Sequence, residues 1–108
     1  MTLVAERASE VVGFVDVRLE RSPDPMLRDV VYCHVAELAV AAACRSQGIG
    51  SRLLQAAEEW GRRQGAAFAA VEYHVANTRA GAFYEQRMGY EVASRAAIKR
   101  LTGRDRRR

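Results

Sequence analysis

Arg45, Gly48 and Gly50 stand in the run Arg45-Ser46-Gln47-Gly48-Ile49-Gly50-Ser51, directly ahead of an amphipathic segment that opens at Arg52. A glycine-bearing turn that feeds a helix leaves several backbone N–H groups unpaired at the positive end of the helix dipole. Such a cluster holds phosphate oxygens without a cation or a metal. Glycine also lets a phosphate ester come close to the main chain, where a Cβ would block it. The chemistry read first is a grip on a phosphorylated cofactor. Two carboxylates could move protons. Glu37 interrupts the apolar run Val35-Ala36-Glu37-Leu38, and Glu72 stands in the otherwise small and apolar residues 67–75. Buried carboxylates in such company need a partner or carry a raised pKa; each also reads as a rim residue in an ion pair. His74, two residues beyond Glu72 on the same strand face, reads as a structural imidazole before a proton relay.

The turn fits neither of two better-known phosphate motifs. No Gly-Lys-Ser/Thr follows it, and Gly48-x-Gly50 lacks the third glycine of the dinucleotide pattern.

These residues need elements to hold them. Residues 2–5 and 11–17 read as two strands joined by a polar turn, and residues 21–29, with both prolines, as a surface loop. Residues 30–40 form a long strand ahead of the glycine turn. In the helix after it, Leu53, Leu54, Ala57 and Trp60 share one face while Arg52, Gln55, Glu59, Arg62 and Arg63 take the other, and Gly65 supplies a stop. Residues 67–75 read as a strand covered on both faces. Asn77 or Thr78 then caps a second helix carrying Ala80, Phe83, Tyr84 and Met88 at helical spacing, with Gly89 ending it and residues 90–101 forming a last strand. The order is β-β-β-α-β-α-β, an α/β (α+β) fold. It implies a mixed sheet with helices on its faces and a right-handed crossover between residues 35 and 75.

Composition narrows the class. A chain of 108 residues, 49% hydrophobic and 28% charged, has room for one domain, placed at residues 1–101, with a basic tail at 102–108. The apolar run at 38–44 is too short to span a bilayer, and residues 2–10 carry three charges where a signal peptide would be apolar, so a cytoplasmic location is expected. The net charge of +4 sits in the tail: residues 99–108 hold six basic groups and one acid, leaving the other 98 residues at −1. No aromatic residue interleaves that tail, which argues against a nucleic-acid platform. Cys33 and Cys44 read as packed free thiols, and with only His34 and His74 beside them no zinc set is expected.

Three blocks in order carry a family resemblance. They are Arg45-x-x-Gly48-x-Gly50 after a strand, Asn77-Thr78-Arg79-Ala80, and Phe83-Tyr84-Glu85 with Gly89-Tyr90. Together with Val12-Gly13-Phe14-Val15, they resemble the GCN5-related N-acetyltransferases (GNAT family) over residues 11–101. The resemblance implies acetyl-CoA as cofactor, with Arg45 in the turn and the amides of Gln47, Gly48, Ile49, Gly50 and Ser51 on its pyrophosphate. It implies pantetheine along the main chain of Leu38, Ala39 and Val40, in a wedge between this strand and the one ending near Val75. Asn77 would hydrogen-bond the pantetheine, and Tyr84 would lie near the thioester sulfur as the acid. Glu72 ranks first and Glu37 second as the base that readies a primary amine of a small molecule or protein for direct transfer. A strand N–H, that of Ala39 or Val40, would polarise the carbonyl. The chain begins at what would be the family's second strand, without the strand and helices that wall the acceptor site, so a homodimer is expected. The alternative reading is a non-catalytic acyl-CoA-binding or regulatory module.

Overall fold

The computed structural model describes residues 1–22, 29–94 and 96–102, and the chain divides into two compact units, Met1–Tyr73 and His74–Arg108. The last six residues of the expected tail, and most of the expected proline loop, lie outside the described residues.

In the first unit, strands β1 (Thr2–Arg7), β2 (Glu10–Arg21), β3 (Val31–Val40) and β4 (Ala69–Ala70) form one sheet in that order. β1 and β2 are antiparallel and meet in a two-residue turn at Ala8 and Ser9, both with positive φ (52° and 69°). Turns of that hand match the right-handed strand twist. β2 pairs antiparallel with β3, and the pairing slips by one residue: Asp16 faces Glu37 while Val17 faces Val35, so Ala36 is a bulge. β3 and β4 are parallel, joined through helix α1 (Ile49–Arg63), the crossover anticipated from the element order.

α1 lies on one face of the sheet because its apolar side chains repeat at helical spacing. Ile49, Leu53, Leu54, Ala57 and Gly61 are buried there with Val15, Val17, Cys33 and Val35. Each fully buried valine or leucine is worth about 1.5–3 kcal/mol, so this layer holds the unit together. Gly13 is required on the sheet side of this layer, since a Cβ there would meet Ala39 O at 2.9 Å.

In the second unit, helix α2 (Thr78–Gly81) continues as a π-helix over Ala82–Arg87. Asn77 caps it, its Oδ1 accepting from Ala80 N–H at 3.0 Å, and Gly89, at φ 79°, turns the chain out.

Two expectations are corrected. The strand over residues 67–75 shrinks to Ala69–Ala70, and it is not covered on both faces: Phe68 is 44% and Val75 90% exposed. Three of its first four residues are alanines, which offer little to a pleated packing surface. The last strand, over residues 90–101, is not formed among the described residues. Its β-formers Val92 and Ile98 are 73% and 93% exposed. A strand needs a ladder partner and a face to bury, and the alanines at 93, 96 and 97 supply neither.

Candidate functional site

The ladder between β3 and β4 stops early. Cys33 pairs with Ala69 and His34 with Ala70, and Cys33 N–H donates to Phe68 O at 3.0 Å. β3 then runs on from Val35 to Val40 with no described strand on that side. Which of its groups face the gap follows from ladder alternation. Ala41 N–H donates to Val12 O at 2.8 Å, so Ala39 also turns its N–H and C=O toward β2. Leu38 and Val40 turn theirs to the open edge. The Val40 carbonyl is met there by Arg45 Nε, at 3.4 Å.

The edge leads into the turn. Ala42–Cys44 form one 3-10 turn, Ser46 takes φ 66°, and Gly48 caps α1 at φ 81°, ψ 6° with no side-chain bond to the helix. Arg52 N–H is the first to reach a helix carbonyl, that of Gly48 at 3.1 Å. The N–H groups of Ile49, Gly50 and Ser51 therefore have no intrahelical acceptor. No acidic side chain stands in this first turn to compete for them. Ile49 is buried and fixes the turn to the core, while Gln47 and Gly48 are exposed. The arrangement suits an anion at the turn and an extended polar chain along the edge.

Asn77 and Tyr84 belong to the second unit. Asn77 spends its carboxamide oxygen on the helix cap, so a ligand would meet its N–H donors. Tyr84 is buried, with its ring edge-on to Phe83 (centroids 5.0 Å apart) and Tyr90 (5.7 Å). Burial pushes its phenol above the ordinary tyrosine value, so it stays protonated and able to donate at neutral pH.

The two glutamates are not buried. Glu72 lies past the end of β4 with its side chain 92% exposed, and Glu37 is exposed opposite Asp16. Neither suffers the desolvation that their apolar neighbours in sequence suggested. The register moves both to the rim. His74, in the other unit, is exposed, and its Nδ1 accepts from Ala76 N–H at 3.0 Å, a local turn bond.

Sequence reasoning passed over His34. On the sheet face away from α1, its Nδ1 lies 3.4 Å from Glu20 Oε2 and its Nε2 3.9 Å from Glu72 Oε1. Tyr32 donates to Glu20 Oε1 at 2.9 Å and stacks on Phe68, with centroids 4.9 Å apart. That bond to Glu20, more than desolvation, holds the Tyr32 phenol above its ordinary value. The pairing of Tyr32 with Glu20 brings the group together, and only the strand register reveals it. Among the described residues no cluster of three or more metal-ligating side chains occurs, and no helix is long and apolar enough to cross a membrane.

Comparison with known proteins agrees with this architecture. Residues 1–90 match the family model described as Acetyltransferase (GNAT) family. The chain therefore belongs to the GNAT acetyltransferase family. An uncharacterized N-acetyltransferase of Bacillus subtilis, YhdJ, is 35% identical over 60 residues, which is 56% of this chain and 42% of that protein. A variant of the BH1408 protein from Bacillus halodurans superposes with a TM-score of 0.84 at 20% identity, covering 94% of this chain and 65% of that one. The aminoglycoside N-acetyltransferase AAC(6')-Iy, solved with CoA, gives 0.80 at 20% identity over 94% of this chain and 75% of its own. The chain thus spans less than two thirds of the first two relatives.

Proposed function

We propose that this chain is an acetyl-CoA-dependent N-acetyltransferase that moves the acetyl group directly to a primary amine. The observation that carries the reading is the open β3 edge at Leu38 and Val40, ending in the bare first turn of α1. Family membership, and a fold shared with an acetyltransferase solved with CoA, support it. The pyrophosphate would lie on the amides of Gln47, Gly48, Ile49, Gly50 and Ser51, with Arg45 beside them. The pantetheine would run along Leu38 and Val40, and Asn77 is proposed as a pantetheine ligand from its place in the motif alone. Of the two strand N–H groups expected to polarise the carbonyl, Ala39 faces β2 and Val40 faces the gap, which favours Val40. Tyr84 is proposed as the acid that protonates the leaving thiolate, on the strength of its place in the motif and its protonated phenol.

Magnitudes require these parts to act together. Helix-end electrostatics supplies about 0.3–2 kcal/mol, whereas micromolar binding needs about 8 kcal/mol. The turn positions the cofactor, and the edge contacts provide much of the remainder.

Both units are read as one acetyltransferase domain, which the family match across residues 1–90 supports. A homodimer is proposed through β1. This is an edge strand with Val4 53% exposed and Met1, just ahead of it, 52% exposed, beside a groove of about 420 Å³ that Leu3, Val4, Val12, Ile49 and Leu53 help to line.

The test is calorimetric titration with acetyl-CoA, followed by thiol release across a panel of amines. Binding with turnover supports the enzyme, and binding without turnover on any amine indicates a cofactor-binding module instead. No heat with millimolar coenzyme A overturns the reading.

A further inference from the structure

We infer that the segment after Tyr90, from Glu91 to Thr102 with the arginine-rich end beyond it, docks on the surface of an anionic lipid bilayer. The inference is independent of the acetyltransferase reading.

The segment is tied to the second unit at Tyr90, whose N–H donates to Tyr84 O at 2.9 Å and whose ring stands edge-on to Tyr84. Beyond that point every described residue up to Thr102 is exposed, and no described helix or ladder takes up the backbone. Three large aliphatic side chains stand in this stretch: Val92 is 73%, Ile98 93% and Leu101 86% exposed. A single exposed aliphatic is ordinary on a protein surface. Three of them along one segment that hides none is apolar surface without a cover.

Charge identifies the cover. Lys99 and Arg100 stand between Ile98 and Leu101, and residues 99–108 hold six basic groups less one acid, a net of +5. The other 98 residues sum to −1, so the positive charge of the chain is gathered at this end. An anionic bilayer answers both features, with phosphates for the bases and a hydrocarbon boundary for the aliphatics. Each basic residue brought to such a surface strengthens attachment about fivefold. The long stems of lysine and arginine let their charges stay among the headgroups while neighbouring aliphatics go deeper. With this many charges the segment lies on the bilayer and does not span it.

Other covers match only half of the pattern. A nucleic acid offers phosphates but no apolar layer, and residues 91–108 contain no aromatic ring to stack on a base. The same segment of a second copy offers aliphatics, but brings its own net positive charge against this one. Docking also sets a reach. At no more than about 3.5 Å per residue, Ile98 lies within about 28 Å of Tyr90, so the unit carrying Asn77 and Tyr84 is kept close to the lipid surface.

The experiment is co-sedimentation of the full chain with vesicles of phosphatidylcholine, alone or with about one third phosphatidylglycerol to supply negative charge. At about 0.1 M salt the wild type should bind the mixed vesicles and leave the neutral ones, and about 0.5 M salt should weaken binding at least tenfold by screening. Lys99→Gln with Arg100→Gln should lower partitioning about 25-fold, fivefold for each charge. Ile98→Ser with Leu101→Ser should lower it at least about tenfold at unchanged net charge, an effect that attachment by charge alone would not show. The controls make the same kinds of change in the first unit: Arg7→Gln with Arg63→Gln, and Val11→Ser at a residue 60% exposed. Both should bind the mixed vesicles as wild type does. Urea midpoints of the segment variants should equal that of wild type, because the altered side chains are exposed. Folded wild type that ignores the mixed vesicles overturns the inference. So does undiminished binding by the Ile98 and Leu101 variant, or a loss in either control equal to that in the segment variants. Binding to a DNA duplex without binding to the mixed vesicles gives the basic end to nucleic acid and overturns it as well. Self-association abolished by the Ile98 and Leu101 changes, without vesicle binding, gives the surface to a second copy and does the same.

Discussion

Cys33 and Gly61 meet so closely across the β3–α1 interface that a Cβ on Gly61 would stand 2.6 Å from Cys33 Sγ and 2.9 Å from its Cβ. Cys33 is buried, on a strand pinned by β2 on one side and β4 on the other, and cannot swing aside. Gly61→Ala must therefore push α1 away from the sheet. A loss of about 1–3 kcal/mol is expected, the usual penalty of overpacking, read as a lower midpoint in urea. Cys33→Ala in the same chain should recover part of it, because it removes the sulfur that the new methyl strikes.

Gly48 poses the opposite case. Nothing lies within 4 Å of a Cβ built there, but its φ of 81° is a conformation that other residues rarely adopt. Gly48→Ala should cost about 1–2 kcal/mol of backbone strain without any steric conflict inside the fold. If the turn holds the cofactor's diphosphate, coenzyme A affinity should fall by more than stability does, because the methyl stands in the space a phosphate would occupy. Calorimetry at a temperature where the variant is fully folded separates the two effects.

What the sequence revealed follows from how local each signal is. The glycine turn, the α1 face built on Leu53, Leu54 and Ala57, and the Asn77 cap are set by residues within a few positions of one another, and all three stand as expected. The misreadings concern features fixed by pairing. Residues 90–101 look like a strand by composition, but no ladder forms there among the described residues. Glu72 looked buried because its sequence neighbours are apolar, and the end of β4 at Ala70 exposes it. The His34 group draws on β2, β3 and the segment after β4, so no window of sequence contains it.

Alkaline pH should weaken the fold. Cys33, chiefly through desolvation and then the nearby Glu58 charge, and Tyr84, through desolvation, both have folded pKa values above their ordinary ones. Each therefore holds its proton more tightly folded than unfolded. The associated stability is fully present below the ordinary values, about 9 for the thiol and about 10 for the phenol, and is lost as pH rises through the higher folded values. Urea midpoints should be flat with respect to these two groups up to about pH 8.5 and fall above about pH 9.5. Tyr84→Phe should flatten the upper part of that decline. In parallel, Cys33 should resist thiol reagents in the folded state, while the partly exposed Cys44 reacts first.

Self-association through β1 gives a further expectation. Val4 is 53% exposed on the outer edge of the sheet, at the lip of the groove shared with α1. With about half of its side chain in solvent, Val4→Lys should change the thermal midpoint of the monomer little, by about 0.5 kcal/mol as is usual for exposed sites. A lysine on an edge strand discourages edge-to-edge pairing. If two copies meet there, sedimentation velocity should show the dimer of the wild-type chain giving way to monomer in this variant. A wild-type chain that sediments as a monomer at high micromolar concentration would rule the β1 dimer out. A dimer that persists in Val4→Lys would place the contact on another surface.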